Sequence, residues 1–253
     1  MTLPASGTIT LAQIAAEFGG AVGHSLSEYY RGGPYIPNTP AYSAVPTSGS
    51  ISLSNFYGLS AFTPVTNTYN SGSGTENVPS GATTCVITVW GAGGSGRRTT
   101  TATVGGGGGG GYVQKTISVS GGQTIAYSVG AGGAARTTTS NGVAGGSSTV
   151  NTWSGGSLSL TAGGGAGGTI DGGAGGSASG GDTNTTGGAG TQGTYETFDA
   201  FWVVNPSGGS SPNGGGGGPV AGTDGSAPGG GGAGNRNANS GAGAAGRITF
   251  AYT

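Results

Sequence analysis

Seven consecutive glycines, residues 105–111, set the problem this chain must solve in folding. Glycine loses more conformational freedom on folding than any other residue. A fold that orders seven in a row must offset that loss with something other than side-chain burial. The run has company: WGAGGSG (90–96), VGAGGAA (129–135), AGGGAGG (162–168), DGGAGGSASGG (171–181), GGAG (187–190), GGGGGP (214–219), PGGGGAG (228–234) and GAGAAG (241–246). No Gly-X-Y period is held and proline is scarce, which excludes a collagen triple helix.

Short, repeated glycine blocks suit one arrangement. A chain in the polyproline-II conformation turns every three residues and makes no internal hydrogen bonds, so its N–H and C=O groups point outward. Where the residues are glycine, neighbouring segments can approach closely enough to bond sideways, and a sheaf of them satisfies its backbone collectively, as a sheet does. Blocks of 5 to 11 residues would span roughly 15 to 34 Å at ~3.1 Å per residue. The segments between blocks become loops at the ends of the sheaf.

The blocks are bracketed by strand-like runs, which a flexible linker would lack. TTCVITVW (83–90), GYVQKTISV (111–119), GQTIAYSVG (122–130), GSLSLTA (156–162) and GRITFAY (246–252) alternate apolar and polar residues. GQT between two such runs predicts a hairpin with a glycine-containing turn. Cys85 falls within an alternating run, as a small buried apolar residue would.

Residues 1–60 read differently. They hold 8 of the 64 glycines and contain an internal echo: SGTITLAQI (6–14) resembles SGSISLSNF (48–56), and SLSEYY (25–30) is a shorter relative. The spacing predicts a helix over 11–18 with Thr10 as its N-cap. Pro34, Pro37, Pro40 and Pro46 make the stretch between the echoes extended. About 60 residues can bury only a small core, so this part is expected either to dock onto something else or to form a small unit of its own. The expected organisation is a domain over 1–60, a linker over 61–74 and a glycine-rich domain over 75–253. The fold class is mostly β and irregular, with polyglycine-II segments bracketed by strands.

Composition narrows the function. Seven basic and eight acidic residues give a net charge of −1, so neither a basic nucleic-acid footprint nor an acidic tail is present. No window approaches 18 apolar residues, so membrane insertion is not expected. The opening MTLPASGTITLAQ has no basic region followed by an apolar one, so no secretory signal is expected. One cysteine cannot form an internal disulfide, which fits cytosolic synthesis. No nucleophile–base constellation is present, and Asp171, Asp182, Glu196, Asp199 and Asp224 are scattered. Glu196 and Asp199, three apart, are a weak glycosidase signal. His24 is expected to be structural. No loop has the ligand density of a calcium or zinc site, and no Gly-Lys-Ser/Thr follows the glycine runs to make a phosphate loop. No catalytic residue, metal or cofactor is expected.

VITVWGAGGSG, GGGGGGGYVQKTISV, GQTIAYSVGAGG and GRITFAY resemble the pattern of a glycine-rich domain common in bacteriophage tail proteins, over about 75–253. ITLAQIAAEFGG, LSEYY, YIPN and PTSGSISLSNFYG are similar to a leader that recurs at the start of phage tail and fibre-tip proteins. The combination resembles the adhesins that cap the long tail fibres of some T-even-type phages. The resemblance implies a virion protein, synthesised in the host cytoplasm and placed at the tail-fibre tip or tail tip. Residues 1–60 would hold it to a tail-fibre or tail-tip protein through Leu11, Ile14, Phe18, Tyr29, Tyr30, Leu53, Phe56 and Tyr57. Loops between glycine blocks would contact a bacterial outer-surface receptor, an outer-membrane protein or lipopolysaccharide.

Loops on a rigid scaffold are also where binding residues physically belong. The candidates are Arg97 and Arg98 in RRTTTATV (97–104), Arg136 in ARTTTSN (135–141), Arg236 in NRNANS (235–240), and Tyr195, Phe198, Phe201 and Trp202 in the long segment 191–213. The aromatics stand out because they supply large contact area at low entropic cost. They could instead pack the loop against the domain. A structural tail or baseplate component and a polysaccharide depolymerase are the alternative functions.

Overall fold

Strands dominate the computed structural model, which describes residues 3–20, 23, 25–100, 103–196 and 201–253. In chain order they are β1 (Val65–Tyr69), β2 (Ser73–Asn77), β3 (Thr84–Trp90), β4 (Arg98–Thr99), β5 (Thr103–Gly105), β6 (Tyr112–Ser118), β7 (Thr124–Ser128) and β8 (Ser148–Trp153). They continue with β9 (Leu160–Ala162), β10 (Ala178–Ser179), β11 (Thr183–Thr185), β12 (Gln192–Glu196), β13 (Phe201–Val204), β14 (Asn235–Arg236) and β15 (Arg247–Tyr252).

Two five-stranded sheets, ordered β1-β15-β3-β6-β11 and β10-β9-β8-β7-β2, pack into a sandwich. Alternation explains the packing. In β3, Cys85, Ile87 and Val89 are fully buried, beside Ile248 and Phe250 of β15 and Val113 of β6. Ile125, Val150 and Leu160 of the second sheet belong to the same core. Each such side chain contributes about 1.5–3 kcal/mol by leaving water. Burial pushes the Cys85 thiol up to about 12.

One open side of the sandwich is clasped by a buried carboxylate. Glu76, on the edge strand β2, accepts hydrogen bonds from Asn67 Nδ2 (2.7 Å) and the Tyr69 hydroxyl on β1, the edge of the other sheet. Hydrogen bonding to Glu76, with burial, raises the Tyr69 phenol above its ordinary value. Residues 61–74, expected to be a linker, therefore carry β1 and the start of β2 and belong to the sandwich.

The expected hairpin around GQT is not formed. β6 pairs with β3 and β11, whereas β7 pairs with β2 and β8, so the chain crosses between sheets at 119–123. Both edges of β6 are already occupied, which leaves β7 no place beside it. The run at 156–162 is strand only over Leu160–Ala162.

Where β3 ends at Trp90, regular ladders give way to the glycine sheaf. Segment 91–97 donates from Gly91, Gly94 and Arg97 to 105–111; from Ala92 to Gly146 and Ser95 to Val143; and from Gly93 and Gly96 to Ala244 and Gly241. Residues three apart address the same neighbour, the signature of a three-residue turn. Three segments, 91–97, 105–111 and 228–234, bond to one another: Gly94 N–H to Gly108 O (2.9 Å), Gly107 N–H to Gly232 O (2.8 Å) and Gly232 N–H to Gly94 O (2.9 Å). Nine more surround them, in the order 130–133, 142–147, 163–169, 171–177, 187–191, 207–211, 214–218, 223–226 and 241–246. Each is hydrogen-bonded to the next, and the last to the first through Gly243 N–H to Gly133 O (2.8 Å). Three mutually touching rods in a hexagonal array have nine neighbours, so the ring is complete, and the chain lays it down in sequence order.

The seven-glycine run is one of the three inner rods and touches six others. A Cβ on any of its residues would lie 1.8–2.3 Å from a backbone carbonyl oxygen of a neighbour. Only glycine fits there.

The N-terminal part forms a unit of its own on the far end of the sandwich. The helix α1 runs over Leu11–Phe18, as expected, with Thr10 and Gln13 capping reciprocally. The two other echoes are 3-10 turns, Leu26–Tyr29 and Leu53–Phe56, with the same reciprocal cap at Ser25/Glu28 and Ser52/Asn55. Leu3 N–H to Leu59 O (2.8 Å) and Gly58 N–H to Pro4 O (2.9 Å) close the unit. Its core includes Leu3, Ile9, Ile14, Tyr29, Ile36, Tyr42, Val45 and Phe56. It meets the sandwich where Gly81 lies under Phe62 and Tyr42, near Thr83 and Thr253.

Candidate functional site

β3 starts at the N-terminal unit and ends in the sheaf, so unit, sandwich, sheaf and outer loops follow one another along one axis. Rods that follow one another in the chain run in alternating directions. Every second connection between glycine segments therefore lies at the free end, and the rest return into strands or short turns at the sandwich. The free end carries connections 97–104, 135–141, 169–171, 191–206, 219–223 and 235–240.

Three of these loops are knitted together. Arg98 N–H and Ser140 N–H each donate to the other residue's carbonyl (3.1 and 2.9 Å), and β4 pairs in parallel with β14, Arg98 beside Asn235 and Thr99 beside Arg236. Arg98 Nε donates to Ala238 O (2.9 Å), and Arg236 Nε to Thr100 O (3.3 Å). Arg136 is bonded to Ser240 through its backbone N–H and carbonyl, and its Nε donates to Ser140 Oγ (2.8 Å). The structure thus brings Arg97, Arg98, Arg136 and Arg236 into one connected layer, although 139 positions separate Arg97 from Arg236 in the chain. Arg97 differs from the other three: its Nε is buried and has no partner among the described residues.

The long candidate loop is a hairpin, β12–β13, hung on the central loop by β5. Its register sets Tyr195 opposite Trp202 and Glu196 opposite Phe201. Phe198, like Asp199 and His24, lies outside the described residues. The end of the expected segment is corrected: 207–211 is a rod of the sheaf, because Ser207 and Ser210 accept from Thr191 and Gly188 while Gly208 and Gly209 donate to Gly218 and Gly107.

Two loops escaped the sequence reading. Ile170 and Val220, at the tips of 169–171 and 219–223, are 56% and 46% exposed, and Val204 at the base of the hairpin is 50% exposed. Of five large apolar side chains exposed among the described residues, these three lie at the free end, Val143 flanks it and Val65 alone lies elsewhere. Loop 169–171 is tied to the hairpin by Gln192 Nε2 to Asp171 Oδ1 (2.8 Å). The alternation of glycine blocks was the signal that could have placed both loops at the tip.

The residues expected to attach the chain elsewhere are largely consumed within the N-terminal unit. Ile14, Tyr29 and Phe56 are fully buried, and Leu11, Phe18, Leu53 and Tyr57 pack against them. Tyr30 is half-buried, its hydroxyl bonded to Gly49 O. The reason is general: apolar residues at helical spacing mark a buried face without saying whether the chain itself or a partner covers it. Among the described residues no cluster of three or more His, Cys, Asp or Glu could hold a metal, and no helix is long and apolar enough to cross a membrane.

Residues 66–253 match the family model of a glycine-rich domain. The chain belongs to that family. The match begins inside β1 and takes in the sandwich and the whole sheaf, so this glycine-rich domain is sandwich and sheaf together. No curated protein matches the chain.

Proposed function

We propose that this glycine-rich protein is a receptor-binding tip of a bacteriophage tail or tail fibre. The observation that carries the reading is the gathering of six inter-rod connections at the end opposite the N-terminal unit, with exposed apolar side chains concentrated there. A scaffold whose interior admits almost no side chains leaves its chemistry to the loops, and rigid elements present loops better than mobile ones do. Clustered exposed apolar groups are the usual mark of a contact surface. The N-terminal unit then joins the protein to a tail-fibre or tail-tip protein of the virion. It uses its outer surface, because Ile14, Tyr29 and Phe56 lie in its core and Leu11, Phe18, Leu53 and Tyr57 pack against it. The reading is non-enzymatic, with the bacterial outer surface as partner.

The test is adsorption of the purified protein to intact host cells, beside a variant with 194–204 replaced by Gly/Ser. Saturable binding that blocks phage adsorption, and that the variant loses, supports the reading. A folded native chain that neither binds nor competes overturns it in favour of a structural virion component.

A further inference from the structure

The N-terminal unit is built from one turn used three times. Thr10, Ser25 and Ser52 cap the three turns. In each, the residue three positions on reaches back to the backbone N–H of the cap: Gln13 at 2.8 Å, Glu28 at 3.3 Å and Asn55 at 2.8 Å. A half-buried leucine follows each cap, as Leu11, Leu26 and Leu53. The next position is small and exposed, as Ala12, Ser27 and Ser54. The fourth residue of each turn is fully buried, as Ile14, Tyr29 and Phe56.

The three turns also close into a ring. The residue after the buried one is Tyr30 in the second turn and Tyr57 in the third. Tyr30 donates its hydroxyl to Gly49 O, and Tyr57 donates its hydroxyl to Gly7 O. Gly49 and Gly7 stand three positions before the caps Ser52 and Thr10, at φ of 85° and 94°. The second turn therefore holds the third, and the third holds the first, through equivalent atoms. The first turn has Ala15 at the tyrosine position, and its link to the second is the Tyr29 hydroxyl to Gly19 O (2.9 Å). Links that repeat from second to third and from third back to first describe a three-fold axis within one chain.

We propose that the N-terminal unit is a single-chain three-fold adaptor for a homotrimeric partner, each turn engaging the same surface of a different protomer. The proposal rests on the attachment reading given above and adds the symmetry and copy number of the partner. Reciprocal capping accounts for the Thr/Ser and Gln/Glu/Asn positions, and a core accounts for the apolar ones. Neither requires the turns to be placed alike about an axis, and neither requires a small exposed residue at Ala12, Ser27 and Ser54. The buried position varies between Ile, Tyr and Phe, whereas the exposed one stays small. A surface repeated three times about an axis is complementary to one that repeats in the same way, and identical chains in closed assemblies are arranged about such axes. A monomeric partner would meet one turn at a time, and a two-fold partner would not meet all three alike.

The experiment is native mass spectrometry of the full chain co-expressed with the distal tail-fibre protein of the same virion. One copy of the chain on three fibre protomers is the expected mass. Ala12→Trp, Ser27→Trp and Ser54→Trp are then compared one at a time, each shown to be folded by thermal unfolding. Overfilling a fitted contact should weaken the complex about tenfold or more, and alike in the three variants. A complex of any other stoichiometry overturns the proposal and leaves attachment standing. So does a loss confined to one of the three folded variants, or no loss in any of them. Absence of a complex overturns the attachment reading together with the proposal. Host recognition is read apart from both, by adsorption to intact cells.

Discussion

In the sandwich, strands are held by what leaves water: Ile87, Val89, Ile248 and Phe250 are fully buried between two sheets, and each position is specified by its side chain. In the sheaf beside it, the inner rods bury almost no side chain, and the contacts run from backbone N–H to backbone C=O on up to six sides. The two regions share strands that run directly into rods, such as β3 into 91–97. Packing without side chains excludes them more strictly than a core selects them. A core position accepts several apolar residues of similar volume, whereas each position of the seven-glycine rod accepts one residue type.

That contrast can be broken at single atoms. Gly108→Ala places a methyl group about 2.0 Å from Ala174 O, and neither backbone can move without breaking bonds to other rods. We expect destabilisation above about 5 kcal/mol, seen as loss of cooperative urea unfolding or of soluble protein. Ile87→Ala in the sandwich should cost about 2–5 kcal/mol in the same measurement. Thr10→Ala removes one half of a reciprocal cap in the N-terminal unit, at about 1 kcal/mol. Gly216→Ala, on an outer rod with nothing within 4 Å of the new carbon, should stay within about 0.5 kcal/mol of the native protein. Equal effects at Gly108 and Gly216 would refute the account of the sheaf.

The smallest effect concerns pH. Thr116 N–H, then Lys115 Nζ at 3.1 Å, hold the Asp182 carboxyl below its ordinary value of 3.8. A folded-state value below the unfolded one stabilises the protein above the unfolded value, and that contribution disappears as pH falls through the folded one. Asp182→Asn should therefore lower stability slightly at neutrality, where the contribution is present, match the native protein at low pH, and flatten the dependence below about 4.

How much was legible follows from the same contrast. β3, β6, β7 and β15 were readable because a side-chain period of two survives in them, and α1 with its Thr10 cap because a period near 3.6 does. Partner choice was not, since alternation says that a run is a strand and not which sheet it joins; hence the mistaken hairpin at 119–123. β1 and the start of β2 fall in the expected linker because their exposed faces carry Thr and Ser. In the sheaf, the informative period is three. Asp171, Ala174 and Ser177 are exposed on one line of an outer rod while Gly173 and Gly176 are buried, and that spacing is visible in the sequence. The arginine layer was out of reach, because it depends on which rods become neighbours.

The seven-glycine rod has one more consequence. A helix of identical residues with three per turn is unchanged when advanced by one residue and rotated by a third of a turn. Along 105–111 nothing in the rod itself marks where it should stop. Its axial position is indexed from outside, by Tyr112 and the strand that follows. An added glycine would slide the rod one step and deliver one residue to the loop at 97–104, with every lattice bond re-formed. The sheaf thus behaves as a feed mechanism, and the tip can gain loop length in single-residue increments without a change in the scaffold.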